Sequence, residues 1–279
     1  KQLLMNLQKD SILDVKLGDQ VEIEMSILFS DIRSFTTISE SMTPDENFSF
    51  VNGYLKRMGP IVRAHDGYID KFLGDGIMAL FNRSADDAIS AAVKMQQDLL
   101  VYNNEAESKG AQTINIGIGV NTGTMMFGTL GEADRMEGSV ISDAVNLAAR
   151  LEMLTKLYQA KVLVSEDTCL KLTPGAFVLR MIDMVAVKGK SEAVKVFEVI
   201  DADAIDIMSL KVKDLARFNE AVTLYQMQKI KDALALFEGI YNDNPADMVA
   251  ALYVERCRNF LKDGWDASTW DGVNRMQTK

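Results

Sequence analysis

Residues 21–36 read VEIEMSILFSDIRSFT, and this stretch decides how the chain folds. Its apolar run through Ile27, Leu28 and Phe29 is almost unbroken, which predicts a β-strand covered on both faces. Asp31 follows at the predicted exit of that strand. An acid in this place is well situated to hold a metal ion, and capping a turn is its alternative role.

A second carboxylate lies at the tip of a predicted hairpin. Two short apolar runs, 68–72 and 77–81, flank the sequence Leu73-Gly74-Asp75-Gly76, in which the glycines supply unusual backbone angles. Acids at 31 and 75 on neighbouring strands could share two hard divalent cations, which prefer oxygen ligands. The alternative is that Asp75 only forms the turn.

Helix and strand signals alternate unevenly through the rest of the chain up to residue 200. Thr43-Pro44-Asp45-Glu46 predicts a capped helix start, and Phe48 and Met58 belong to the predicted buried stripe of that helix. Further helices are predicted over 86–102 and 142–157, and further strands over 114–120, 161–164, 177–187 and 194–199. Because hairpins interrupt the alternation, we expect an α+β sandwich rather than a doubly wound parallel sheet.

The composition excludes several classes of protein. The 279 residues carry 40 acidic and 30 basic side chains, and a net charge of −10 argues against nucleic acid as the main partner. One histidine, His65, cannot build a zinc site of several histidines. Cys169 and Cys257 show neither metal-ligand nor redox spacing, which favours a reducing compartment. No apolar window is long enough to predict a membrane span.

The composition also predicts three parts: a connecting helix over 1–18, a main domain over 19–200 and a helical extension over 201–279. The chain opens at Lys1 with neither an initiator methionine nor a signal peptide, so we expect a fragment whose upstream regulatory module is missing. In the extension, the spacing of Ala233, Phe237 and Pro245 resembles the second half of a tetratricopeptide unit. One unit is too few for a binding array, so we expect it to pack on the main domain or on a partner subunit.

Two familiar nucleotide-binding motifs fail. Gly189-Lys190-Ser191 resembles the end of a P-loop, but Met184 occupies the required upstream glycine position and a strand follows. Gly117, Gly119 and Gly123 miss the dinucleotide spacing by one residue.

The stretch 135–150, RMEGSVISDAVNLAAR, contains a third candidate group. Asn146 and Arg150 are four residues apart, so in a helix they share one face. The alternative is that Arg150 is a solvated helix charge and Asn146 a buried hydrogen-bonding residue.

Read together, these segments resemble the class III nucleotidyl cyclase catalytic domain, in order over residues 20–200. The matching stretches are FSDIRSFT at 29–36, KFLGDG at 71–76, NTG at 121–123, VNLAAR at 145–150 and VKGK at 187–190. The stretch 135–150 resembles the bacterial, bicarbonate-responsive subgroup of adenylyl cyclases. The resemblance implies a ferredoxin-like βαββαβ core with a mixed sheet, and an enzyme that converts ATP to 3′,5′-cyclic AMP and pyrophosphate.

The resemblance also implies a role for each matching residue. Asp31, Asp75 and the Ile32 carbonyl would hold two Mg²⁺ or Mn²⁺ ions, and backbone N–H groups at Phe35 and Thr36 would hold the outer phosphates. Lys188 would reach the terminal phosphates. Thr124 replaces a basic residue that some relatives place near the phosphates, and Arg135 is a candidate substitute.

The remaining roles concern the nucleoside and the transition state. Lys71 and Ser139 would read the purine edge, Asn146 would orient the ribose, and Arg150 would meet charge that develops on the α-phosphate. A lysine donor suits the N1 acceptor of adenine and opposes the N1–H of guanine, so we expect ATP rather than GTP.

In this family the metal acids come from one subunit and the purine and transition-state residues from the other. A chain with both sets is therefore expected to form a head-to-tail homodimer with two shared sites, with bicarbonate as a candidate activator and no nucleic-acid partner. We expect the catalytic domain in the cytoplasm, although the full-length protein could be tethered to a membrane. The alternatives are a guanylyl cyclase, a diguanylate cyclase, whose Gly-Gly-Asp/Glu-Glu-Phe hairpin is absent, and a non-catalytic sensor or dimerisation module.

Overall fold

The computed structural model describes residues 6–7, 9–11, 14–132, 135–186, 193–263 and 272–275. The strands are β1 (Gln20–Ile32), β2 (Tyr68–Leu73), β3 (Gly76–Phe81), β4 (Ile116–Glu132), β5 (Arg135–Ile141), β6 (Val162–Ser165), β7 (Leu179–Ala186), β8 (Val194–Val199) and β9 (Asn274–Arg275). The helices are α1 (Phe35–Glu40), α2 (Pro44–Ala64), α3 (Ala85–Ser108), α4 (Asp143–Tyr158), α5 (Glu166–Cys169), α6 (Ile205–Lys213), α7 (Leu215–Gln226), α8 (Ile230–Asp243) and α9 (Met248–Asp263).

The strands form one mixed sheet in the order β2-β3-β1-β4-β6-β8-β7-β9, and β5 pairs with β4. The β4–β6 and β7–β9 pairs are parallel and the others are antiparallel. The predicted α+β class and the predicted hairpin of β2 and β3 are confirmed. None of the helices in the described ranges is long and apolar enough to cross a bilayer.

Strand β1 lies inside the sheet and is covered on both faces, as its apolar run predicts. Ile27 and Leu28 are both fully buried, and they belong to two different cores on opposite faces of the sheet. Alternate residues of a strand point to opposite faces, so a strand that builds two cores needs apolar residues at consecutive positions. The same alternation fixes the face of the sheet on which Asp31 lies.

Helix α2 begins where its capping sequence predicts. The Thr43 hydroxyl accepts the Glu46 N–H, and the Glu46 carboxylate accepts the Thr43 N–H at 2.8 Å, which completes a capping box. The buried stripe differs from the prediction at one position, because Phe48 is 75% exposed whereas Tyr54 and Met58 fill the core. Phe48 is the fifth residue of the helix, whereas the buried residues of the helix begin at Tyr54.

Strand β4 is longer than its sequence predicts. The predicted strand ended at Val120, yet β4 continues to Glu132 and turns back into β5, which the sequence did not predict. Five glycines in β4 weaken the local strand signal. Pairing with the whole of β1, from Gln20 opposite Gly128 to Ile32 opposite Ile116, supplies the missing stability through non-local hydrogen bonds.

The single histidine and the two cysteines of the chain occupy structural positions. His65 ends α2, and its Nδ1 lies 2.8 Å from the Ile61 carbonyl oxygen. Cys169 lies in α5 and Cys257 in α9, and burial raises the pKa of both thiols to about 12. Both thiols are therefore poorly suited to act as nucleophiles at neutral pH. Ten residues of the helix predicted over 1–18 are described: Asn6 and Leu7 are helical and buried, whereas residues 9–11 and 15–18 are not helical.

Helices α7, α8 and α9 share a hydrophobic core with the sheet and with α4. Phe218, Phe237 and Tyr253 pack in the same cluster as Leu151 and Tyr158 of α4. The Phe237 and Tyr253 rings stack with their centroids 4.5 Å apart. The prediction that the extension packs on the main domain agrees with these contacts.

Buried ion pairs reinforce that contact. Arg180 of β7 donates to Glu198 of β8 at 2.6 Å and to both oxygens of Asp247 at the start of α9. Lys211 of α6 donates to Glu198 at 2.7 Å and to Asp203 at 2.6 Å. Burial acts to raise the pKa of Glu198, but Arg180 and Lys211 hold it at about 2. The cluster joins the extension to the far end of the sheet.

Arg180→Ala is expected to lower the free energy of unfolding by about 3–5 kcal/mol, because it leaves buried carboxylates without their partner. Arg258→Ala is the matched control. Arg258 pairs with Glu238 between α9 and α8 but is mostly exposed, so its loss should cost about 1 kcal/mol or less. Urea unfolding of both variants measures the difference, and equal costs would contradict the role given to the buried cluster.

Candidate active site

The two predicted metal acids lie side by side at one edge of the fold. Asp31 is near the end of β1, and Asp75 occupies the turn between β2 and β3. The Ile32 N–H donates to Asp75 Oδ2 at 3.3 Å. The β1–β3 register, which sets Ser30 opposite Ile77, brings these two chain segments together.

Two glycines make this approach feasible. Gly74 has φ +69°, the left-handed region that glycine adopts without strain. A Cβ atom at Gly76 would lie 3.3 Å from Asp31 Oδ1 and from the Ser30 carbonyl oxygen. The second glycine therefore leaves room for the carboxylate itself.

Burial and the like charge of Asp75 raise the pKa of Asp31 to about 6. Asp75 therefore disfavours ionisation of Asp31, and a bound cation would relieve that repulsion. Among the described residues, no three histidine, cysteine or acidic side chains form a metal-binding group. Mg²⁺ is commonly held by one or two carboxylates together with substrate phosphates, so this donor set fits the predicted ions.

A third acid, Glu152 of α4, lies close enough to Asp31 and Asp75 to be affected by their charges. Burial and the charge of Asp31 raise the pKa of Glu152 to about 7, although Arg33 opposes the shift. Glu152 is not among the residues that the sequence predicts for the site. The available signal was an acid within an otherwise apolar helical stretch, 151–155, which reads LEMLT.

Helix α4 lies directly on β4. A Cβ atom at Gly119 would come within 2.1 Å of the Glu152 backbone nitrogen, and one at Gly117 within 2.1 Å of Thr155 Oγ1. These two glycines, which failed as a dinucleotide motif, therefore allow helix and strand backbones to approach closely. Antiparallel pairing sets Asp31 opposite Gly117, so the acid lies on the face that α4 covers.

Arg33 connects the segment after Asp31 to the end of α4. Its Nη2 donates to the carbonyl oxygens of Thr155 at 2.9 Å and Ala160 at 2.7 Å. Carbonyl groups at a helix C-terminus lack intrahelical partners, so a guanidinium is a favourable cap there. Arg33 belongs to the motif at 29–36, but the motif predicted no role for it.

On the opposite face, Tyr54 of α2 supports the acid strand. Its hydroxyl lies 3.0 Å from Ser30 Oγ, and both groups are buried. The loop after β1 starts α1, with Ser34 at φ 56° before it, and the Phe35 ring stacks on Phe50 at 6.5 Å. The first N–H groups of a helix lack intrahelical partners, so those of Phe35 and Thr36 are suited to the predicted phosphate contact.

The structure brings the predicted purine-reading residues together. Lys71 Nζ of β2 donates to Ser139 Oγ of β5 at 2.9 Å. The predicted helix that carries Asn146 and Arg150 is also present as α4, and Ser142 caps it by accepting the Ala144 N–H at 3.1 Å. Asn146 is exposed and Arg150 is half-buried, whereas Leu147 and Ala148 face the core.

Two predicted phosphate contacts cannot be placed. Lys188 lies outside the described residues, and Arg135 begins β5 without a described side chain. Thr124, the departure from some relatives, accepts the Ser142 hydroxyl through its carbonyl oxygen at 2.9 Å. The roles of Lys188 and Arg135 stay predictions.

The family profile described as "Adenylate and Guanylate cyclase catalytic domain" matches residues 19–200. This chain belongs to that family. The predicted membership of the cyclase catalytic domains is therefore confirmed.

Relatives and solved structures agree with the assignment of the cyclase domain. The chain is 44% identical to "Adenylate cyclase" of Anabaena cylindrica over 195 residues, which cover 67% of this chain and 39% of the relative. It is 37% identical to "Adenylate cyclase, terminal-differentiation specific" of Dictyostelium discoideum over 256 residues, 89% of this chain and 12% of the relative. The chain thus spans less than half the length of either relative. The crystal structure of the adenylyl cyclase CyaB from P. aeruginosa matches with a TM-score of 0.59 and 30% identity, covering 64% of this chain and 95% of that one.

Asp31→Asn is expected to stabilise the cyclase domain at pH 7.5 in EDTA. A carboxyl whose pKa is raised from 3.8 to about 6 destabilises the folded state as pH rises through that window, because the folded state must release a proton that it binds more tightly. The gain should be on the order of 1 kcal/mol, since Asp31 is half-exposed and its charge is screened, and it should shrink as pH falls towards 4. Thermal unfolding between pH 4 and 7.5 measures it, and a gain independent of pH would contradict the electrostatic origin.

Proposed function

We propose that the protein is an adenylyl cyclase that converts ATP to 3′,5′-cyclic AMP and pyrophosphate. The observation that carries this proposal is the hydrogen bond from Lys71 to Ser139. In a chain of the cyclase family it supports adenine, because an ammonium donor pairs with N1 of adenine and meets a hydrogen in guanine. A guanine reader would need an acceptor at position 71.

The proposed reaction is in-line attack of the ribose 3′-oxygen on the α-phosphorus while pyrophosphate leaves. Two Mg²⁺ or Mn²⁺ ions held by Asp31, Asp75 and the Ile32 carbonyl would lower the pKa of the attacking hydroxyl and neutralise the leaving phosphates. The N–H groups of α1 would bind the outer phosphates. This chemistry needs no histidine base, which suits a chain with one histidine at a helix end.

The remaining side chains would position the substrate. Asn146 would hold the ribose so that its 3′-oxygen points at the α-phosphorus. Arg150 offers a planar fork of N–H donors to the phosphoryl oxygens, and such donors lower a barrier by about 3–4 kcal/mol. Lys188 and Arg135 would offset the triphosphate charge in a chain whose net charge is −10.

We further propose a head-to-tail homodimer with two shared sites. Apolar side chains are exposed around the site, including Phe72 and Leu73 beside Asp75 and Ile141 at the end of β5. Exposing several apolar side chains together is unfavourable in a monomer, and a partner subunit would remove them from water. In the dimer, Asp31 and Asp75 of one protomer would face Asn146 and Arg150 of the other.

Finer features of the chain are also proposals. The tetratricopeptide-like spacing of Ala233, Phe237 and Pro245 and the division into 1–18, 19–200 and 201–279 follow from sequence pattern. We propose that an upstream regulatory module controls the enzyme and that the domain acts in the cytoplasm, where ATP and reduced cysteines are found.

Bicarbonate is the proposed activator, from the subgroup likeness of 135–150. A titration at constant pH should raise turnover, and a flat response would contradict this proposal.

With Mn²⁺, the purified protein is expected to release cyclic AMP from ATP and to turn over GTP at least about tenfold less efficiently. Product formation from both nucleotides, measured side by side by chromatography, tests this. Efficient turnover of GTP but not ATP would contradict the purine assignment, and turnover of neither would favour the non-catalytic alternative.

Asp31→Ala and Arg150→Ala are each expected to lose about 10²- to 10³-fold or more in activity when alone. Mixed together they should recover up to about a quarter of wild-type activity, because half of the randomly formed dimers contain one intact site. Asp31→Ala mixed with Asp75→Ala is the matched control, since both lesions lie in the same half-site. Recovery in the control mixture, or none in the first mixture when mixed dimers form, would contradict the shared site.

A further inference from the structure

The strand that carries Lys71 contains a β-bulge immediately before it. In the β2–β3 ladder, Tyr68 pairs with Leu80, Ile69 with Ala79 and Lys71 with Met78, so Asp70 is the extra residue. Residues three apart in a regular strand point to opposite faces. Because Leu80 and Met78 are two apart, the bulge returns Lys71 to the face of Tyr68.

Lys71 therefore shares a face of the sheet with Met78, which belongs to the core beneath α4 together with Leu80. Without the extra residue, a regular ladder would direct the position-71 side chain to the opposite face. The bulge at Asp70 thus sets the face of β2 from which Lys71 Nζ reaches Ser139 Oγ.

Asp70 also contacts the ammonium directly. Its Oδ2 lies 3.1 Å from Lys71 Nζ, and the Asp70 side chain is 4% exposed whereas that of Lys71 is 39% exposed. Oδ2 has no hydrogen-bond donor among the other described groups, so the lysine cation is its compensating contact. Lys71 Nζ thus lies between a buried carboxylate and the Ser139 hydroxyl.

The electrostatics of this arrangement favour a cation at position 71. Burial raises the pKa of Asp70, Lys71 opposes that shift, and the nearby charge of Glu137 adds to it. A carboxylate in place of the ammonium would put two like charges in contact next to Glu137. Two acids at about 3 Å cannot both ionise readily.

We propose that Asp70 is a specificity-determining positioning residue: its carboxylate holds the Lys71 ammonium against Ser139 for adenine and opposes the acidic side chain that guanine would require. The proposal rests on the proposed adenylyl cyclase function. It assigns to Asp70 a role that acts through Lys71 and involves no contact with the nucleotide.

The test compares D70N, K71E and D70N/K71E with wild type, using kcat/KM for ATP and for GTP with Mn²⁺. D70N keeps the shape of the side chain and removes its charge, so the ATP-to-GTP ratio of kcat/KM should fall about tenfold, mainly through a higher KM for ATP. K71E should be poor with both nucleotides. Adding D70N to K71E should raise kcat/KM for GTP at least about tenfold, because the repulsion is gone.

Asp66→Asn is the matched control, since Asp66 precedes the same strand but pairs with Arg83 in solvent. It should leave the ratio unchanged. An unchanged ratio in D70N, or a double variant no better than K71E with GTP, would overturn the proposal.

A second readout needs no activity. K71E should lower the thermal unfolding midpoint of the protein without nucleotide, and D70N should restore much of that loss. If wild type turned over neither nucleotide, the proposed function would fail, yet this non-additivity would still support the contact between positions 70 and 71. Additive midpoints would overturn it. If K71E does not fold, its rescue by D70N in soluble yield is expected, and D70N alone still decides through the specificity ratio.

Discussion

Two carboxylates that repel each other are the constraint around which this fold is arranged. Asp31 and Asp75 come from strands that are distant in sequence, and the β1–β3 register brings them together. Gly76 leaves the space and Tyr54 supports the strand from the opposite face. Burial, together with the charge of Asp75, raises the pKa of Asp31 to about 6. Such an arrangement costs stability in the free protein, and it is favourable where cations and phosphates are to be bound.

The second half of the site depends on how closely α4 approaches the sheet. Gly117 and Gly119 let the helix backbone rest on β4, and Arg33 ties its C-terminal carbonyls to the segment that follows Asp31. The extension packs against the same helix through the core around Tyr158. Within one chain, the two acids and helix α4, which carries Arg150, are therefore held in contact. In the proposed dimer they belong to different active sites.

The sequence was sufficient where the signal is local. The apolar run of β1, the capping box of α2, the Gly74–Gly76 hairpin and the apolar face of α4 each specify their own element. Non-local contacts decided what it missed: β4 and β5 are stabilised by pairing, and the burial of Glu152 and the bulge at Asp70 depend on neighbours from other elements. The candidate metal and purine residues were predicted from motifs, whereas no role was predicted for Arg33 or Asp70, whose contacts come from other elements or from a bulge.

Catalysis by the proposed dimer depends on a composite site, in which the acids of one protomer face the arginine helix of the other. Anomalous diffraction from crystals grown with Mn²⁺ and 3′-deoxy-ATP, which lacks the attacking hydroxyl, tests this most directly. The account predicts manganese bound by Asp31 and Asp75 at about 2.0–2.3 Å, with Arg150 of the opposite protomer at the α-phosphate. Manganese bound elsewhere, or Arg150 directed into solvent in every dimer of the crystal, would contradict it.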